Sequence, residues 1–154
     1  MADLAVRTAT AADAFAVEPL VGDALSVMRS LRGGEQLLSR LGVPQGIAAG
    51  ALASALCGAA LLGTTTLVAV ASDTVVGVAV VVATGEGIDL VGVHASSQAR
   101  RHGVGTALLR AARSFAEGSG QRLEALALPG DQGVKSLLES AGYKARLLRM
   151  SAER

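Results

Sequence analysis

The stretch that most constrains this chain runs from residue 87 to 109. An apolar segment ends in Leu-Val-Gly-Val-His-Ala, a short polar loop follows, and Arg-Arg-His-Gly-Val-Gly leads into the helix-forming run Thr-Ala-Leu-Leu. This order reads as strand, tight turn, helix. Such a turn gathers unpaired backbone N–H groups at a helix N-terminus, where the macrodipole also favours an anion. Gly103 and Gly105 carry no Cβ, so the backbone can approach that anion closely. Arg100, Arg101 and His102 bring charged or protonatable groups to the same place.

The turn is neither of two familiar phosphate loops. No Gly-Lys-Ser/Thr follows, which excludes a P-loop. Gly103-Val104-Gly105 continues as Thr106-Ala107-Leu108 without a third glycine, so the dinucleotide fingerprint fails too. The pattern that does fit is Arg/Gln-x-x-Gly-x-Gly/Ala, met by Arg100, Gly103 and Gly105 directly after an apolar strand.

Composition limits the rest. A length of 154 residues suits a single domain, residues 1–154, with a real core. Hydrophobic residues make up 51% but aromatic ones only 2%, so that core is built from Ala, Val and Leu. A net charge of +1 supplies no basic stripe, which argues against nucleic acid or an adhesive membrane face as partner. The lone Cys57 excludes an intramolecular disulfide and a cysteine zinc cluster. His94 and His102 have no ligand partners at a recognisable spacing, so no metal is expected. The N-terminal residues lack a charged leader followed by a long apolar run, and a reducing, cytoplasmic setting is the default expectation. Residues 46–63 carry no charge and approach the length of a membrane span. Their Ala/Gly content, Ser54 and the missing aromatic belt favour a buried helix of small residues.

In order, the pattern predicts a strand over 4–8 and a helix from residue 11 that is interrupted near Pro19 and resumes over 20–31. A short helix over 35–41 and an Ala-rich helix from Pro44 to about Gly63 follow. Strands over 64–71 and 74–83 are joined by a two-residue hairpin at Ser72-Asp73. Then come a strand over 88–95, a helix over 103–117 with Leu108, Ala112 and Phe115 on one face, and a strand over 122–128. A helix capped by Asp131 and ended by Gly142 precedes a closing strand over 143–150.

The ordered motifs resemble the GNAT superfamily of N-acetyltransferases, in an actinobacterial-type variant. Val6-Arg7-x-Ala9-x-x-x-Asp13 is similar to the family's opening strand and helix. Arg100 to Gly105 resembles its acyl-coenzyme-A pyrophosphate loop. Asp131, Val134, Leu137, Gly142 and Tyr143 align with the late motif Asn-x-x-Ala-x-x-Phe/Leu-Tyr-x-x-x-Gly-Phe. The resemblance implies an α/β fold with a mixed, mostly antiparallel sheet, helices on both faces, and a V-shaped opening between the fourth and fifth strands. It implies acetyl-CoA as acyl donor and an amine acceptor, with homodimerisation common in such folds. Main-chain groups of Val93 and Ala95 would hold the pantetheine arm. Amides of Arg100, Arg101, His102, Gly103, Val104, Gly105 and Thr106 would hold the pyrophosphate.

Acyl transfer to an amine needs a neutral nitrogen, a polarised carbonyl and a departing thiolate. Asp89 stands where several relatives place a catalytic Glu, and its shorter side chain calls for a bridging water; Glu86 and Glu124 are the reserves. The competing reading is an ordinary strand-edge carboxylate. The usual acidic Tyr falls on Leu138, which donates no proton, and Tyr143 falls at a packing position. A thiol of pKa about 8.5 can leave unaided. Two functions therefore lead, an acyl-CoA-dependent N-acyltransferase and a non-catalytic acetyl-CoA-binding regulatory module; a third, a small-residue membrane or assembly protein, rests only on composition. His94 is expected to be a satisfied structural histidine, and Cys57 a buried inert thiol.

Overall fold

A computed structural model describes residues 3–152. Met1 and Ala2, the first residues of the segment read for a leader, lie outside the described residues, as do Glu153 and Arg154. The elements are β1 (Ala5–Thr8), α1 (Ala14–Ser30), α2 (Gly34–Arg40), α3 (Ala49–Cys57), β2 (Thr64–Ala71), β3 (Thr74–Thr84), β4 (Gly87–Ala95), α4 (Val104–Gly118), β5 (Leu123–Ala125) and α5 (Gln132–Ser140). The strands form one five-stranded sheet in sequential order. All pairs are antiparallel except β4–β5, which is parallel.

β-Branched residues dominate β2 and β3, and the turn between them works as the sequence predicts. Ser72 and Asp73 both take positive φ, 49° and 63°, the backbone that a tight hairpin twist requires. One sheet face packs on α4 through Ala79, Val81 and Leu90; the other packs on α1 and α3 through Val68 and Val78. Val104, Leu108, Ala112 and Ala116 form the buried stripe of α4. Ala116 takes the place expected for Phe115, which is 36% exposed.

Several expected elements differ. α1 runs unbroken through Pro19. The proline forfeits only the bond to the carbonyl of Phe15, a residue on the solvent face where water can serve instead. The long Ala-rich helix shrinks to α3, because Gly46 and Ala59 adopt left-handed backbone on either side of it. Among the described residues no helix is long and apolar enough to cross a membrane. The fifth strand is only three residues long. The closing strand over 143–150 does not form: those residues have no regular structure, and Leu147, Leu148 and Met150 are exposed. Two adjacent leucines would point to opposite faces of a strand, so neither face is consistently apolar, and β5 offers only a short edge.

Two local features shape the ground between β4 and α4. The register of β3 on β4 slips between Val80 and Val81: Val80 faces Gly92 while Val81 faces Leu90, leaving Val91 as a bulge residue. And Gly77 in β3 lets α4 sit close on the sheet, since a Cβ there would lie 2.6 Å from Val104 Cγ1 and 3.0 Å from Leu108 Cδ1.

Candidate functional site

β4 and β5 pair only from Ile88 to Leu90, and the last contact is the Leu126 amide donating to the Leu90 carbonyl at 2.9 Å. Beyond it the strands separate, which opens the V. The Ser96 amide donates to Val76 O at 2.8 Å. In an antiparallel ladder the bonded positions alternate, so His94 and Gly92 turn their main chain toward β3, and Val93 and Ala95 turn theirs toward the opening. The Arg100 guanidinium already reaches Ala95 O, at 3.5 Å.

The loop after β4 is anchored by two buried side chains, Ala99 within it at 1% exposure and Val104 at its end, also at 1%. Arg101 and Gly103 are left-handed, with φ of 66° and 79°. The His102 amide donates to Ala99 O at 3.3 Å. Among the described residues, the amides of Arg101, Gly103, Val104, Gly105 and Thr106 have no protein acceptor. They collect at the N-terminus of the 15-residue α4, and a Cβ on Gly103 would meet nothing within 4 Å. Unpaired donors at a helix N-terminus, beside two arginines, can accept an anion. Gly105 also serves packing, because a Cβ there would stand only 3.2 Å from Leu137 Cδ2 of α5.

Asp89 lies beside Glu124, its register partner on β5. Burial, followed by Glu124 and more weakly Glu86, raises its pKa above the ordinary carboxylate value, while Arg40 at the end of α2 works against the rise. The bulge puts Asp89 on the same sheet face as Gly92 and His94, because Asp89, Gly92 and His94 face Val82, Val80 and Val78 of β3. Asp89 borders neither of the two cavities at the opening, whereas His94 lines both.

His94 is not the satisfied residue expected. Its Nε2 is buried with no hydrogen-bond partner, and Asp23 of α1 stands 3.9 Å away. Burial and then Arg100 lower its pKa, against weaker opposing pulls that include Asp23. The α1 residues Ala24 and Met28 also face β4 across both cavities, and the helix read over 20–31 did not single them out as site residues.

The remaining candidates fall into packing roles. Asp131 caps α5, accepting from the Val134 amide at 3.2 Å, and borders the first cavity. Leu138 is 7% exposed in the α4-side core and Tyr143 packs against that core. Cys57 is buried, and burial pushes its thiol pKa up. No group of three or more His, Cys, Asp or Glu able to hold a metal occurs among the described residues.

The model of the acetyltransferase (GNAT) family matches residues 52–143. The fold is similar to that of a ribosomal-protein-alanine N-acetyltransferase from Brucella melitensis biovar Abortus 2308, with TM-score 0.72, 15% identity, and coverage of 98% of this chain and 99% of that one. It is also similar to the PaiA N-acetyltransferase from Thermoplasma acidophilum in complex with coenzyme A, with TM-score 0.70, 13% identity, and coverage of 94% and 91%. A transcriptional regulator from Bacillus halodurans C-125 has TM-score 0.64 at 18% identity, with coverage of 98% and 99%. No curated protein sequence matches the chain.

Proposed function

The chain belongs to the acetyltransferase (GNAT) family, and from that premise we propose that it transfers an acetyl group from acetyl-CoA to an amine of a small molecule or protein. The observation that carries the reading is the succession of two main-chain sets: the β4 edge at Val93 and Ala95, paired with no strand, leads through the loop to the acceptor-free amides of Arg101 and of Gly103 to Thr106. The edge suits the amides of an extended arm, and the loop suits a pyrophosphate.

The thioester supplies an activated carbonyl. The amine nitrogen bonds to that carbon, the carbon–sulfur bond breaks, and coenzyme A departs as a thiolate that takes up a proton. The chain's own part is to orient the donor along β4 and to remove the proton lost by the nitrogen. Asp89 is the proposed base, acting through a bridging water. A carboxylate whose pKa is raised by burial and by Glu124 binds a proton more readily than an ordinary one. Asp89→Asn is expected to lower kcat at least tenfold while leaving acetyl-CoA affinity within about twofold. An unchanged rate removes Asp89 from this role.

The regulatory-module alternative draws on one observation, the buried Leu138 where the family's proton donor would stand. Calorimetric titration with acetyl-CoA, followed by thiol release with a panel of amines, separates the two. Binding without release at any amine favours the module; no binding at micromolar concentration refutes both.

A further inference from the structure

The two cavities at the V share a wall made by Ala24, Met28 and the bulged part of β4, Val91 to His94. The first, about 60 Å³, follows the free β4 edge toward β5 and Asp131. The second, about 80 Å³, continues from the shared wall beneath α1, α2 and α3. No charged side chain lines it, and its only polar one is the His94 imidazole. Gly92 sits at the junction, and a Cβ there would meet nothing within 4 Å. Its cross-strand partner Val80 points into the second cavity and does not line the first.

We propose that this second cavity receives the aliphatic tail of an acyl group longer than acetyl, making a short-chain acyl-CoA a better donor than acetyl-CoA. The inference rests on the acyl-CoA reading above and refines it. A donor lying along β4 from the loop at residues 96–103 brings its thioester end to the bulge, where the second cavity begins. Any group lying beyond that point must be apolar and uncharged. An acceptor amine enters from water largely as a cation, and this wall holds no carboxylate to accompany it. An alkyl chain leaves no polar group unpaired there. The volume is about half that of the ~150 Å³ apolar cavity that accommodates benzene, which suits a chain of a few carbons and not a ring.

The test is calorimetric binding of free CoA and of acetyl-, propionyl-, butyryl- and hexanoyl-CoA to the whole chain and to two variants. Each methylene buried is worth ~0.8 kcal/mol, or about fourfold in affinity, so butyryl-CoA is expected to bind about fifteenfold more tightly than acetyl-CoA. Val80→Phe fills the cavity from the strand that does not border the donor's channel. It is expected to flatten the series while free CoA binds as before. Leu56→Ala enlarges the far wall and is expected to move the optimum to a longer chain; it keeps the proposal falsifiable if Val80→Phe does not fold. A flat or falling acyl series in the unmodified chain, with CoA binding intact, overturns this inference alone. Loss of all CoA binding overturns the acyl-CoA reading beneath it.

Discussion

Gly77→Ala tests whether close packing of α4 on β3 sets the anion loop. The added methyl would stand 2.6 Å from Val104 Cγ1 and 3.0 Å from Leu108 Cδ1, and both side chains are buried, at 1% and 0% exposure. Neither can swing into solvent, so α4 must lift. Overpacking of this kind costs about 1–3 kcal/mol. Removing a glycine recovers roughly 0.4–1 kcal/mol by restricting the unfolded chain. Mid-range values leave a net expected loss of about 1 kcal/mol, or ~2–4 °C in Tm for a chain of this size. Because Val104 opens α4, lifting it moves the amides at residues 104–106, and acetyl-CoA affinity is expected to fall as well. Urea unfolding and calorimetric titration measure the two effects. A double-mutant cycle with Val104→Ala isolates the cause: removing Cγ1 should relieve at least ~0.5 kcal/mol of the Gly77→Ala cost. Equal stability of Gly77→Ala and the unmodified chain, or strict additivity in the cycle, would refute the reasoning.

Asp13 accepts two bonds from Arg7, at 2.7 and 2.9 Å, and one from the Thr10 amide at 2.8 Å. The Arg7 guanidinium is the largest cause of the drop in its pKa from 3.8 to about 2, and the Thr10 amide adds to it. Because the folded value is the lower one, the stabilisation is complete above about pH 4 and is lost as pH falls toward 2. Asp13→Asn should cost roughly 1–2 kcal/mol at pH 7, given half-exposed Arg7, and nearly nothing at pH 2; urea midpoints that differ equally at both pH values would contradict this. Thr106→Glu places a carboxylate at the exposed third position of α4, where it suits the helix dipole but repels a phosphate. Acetyl-CoA affinity should drop about tenfold, less so in high salt, with Tm held or raised; undiminished affinity would take the pyrophosphate away from this turn. The His94 imidazole should titrate below 6.5 by NMR, and its contribution to stability should fade as pH drops through that region. A midpoint above 6.5 would show that Asp23 outweighs burial.

The first four strands and their turns were legible because their causes are local. The β-branched run from Thr64 to Val82 and the Ser72-Asp73 hairpin follow from backbone preference, and the Gly103 turn follows from the need for left-handed φ. The Asp131 cap could be read for the same reason. The helix over 44–63 and the closing strand over 143–150 were not legible, because each depends on a partner. Apolar content predicts burial, but α3 extends only where α1 accepts it, with Ala49 against Gly22, and the last segment finds no strand edge to join. The site divided in the same way. The tight turn at Gly103 could be recognised in the chain, while the open space at Gly92, the His94 Nε2 without a partner and the place of Ala24 and Met28 could not.

Parity along β4 draws that boundary most sharply. By itself the sequence determined that an apolar strand ends in a tight, arginine-flanked glycine turn and passes into an amphipathic helix, since each step depends on residues next to one another. Alternation in a regular strand would send Asp89 to one face and Gly92 and His94 to the other, because they are an odd number of residues apart. Only the pairing with β3 decided otherwise. With Val91 left unopposed, the pleat slips by one residue, and the carboxylate, the open glycine and the imidazole come to share the face beneath α1. A bulge belongs to two strands at once, and no single strand's sequence contains it.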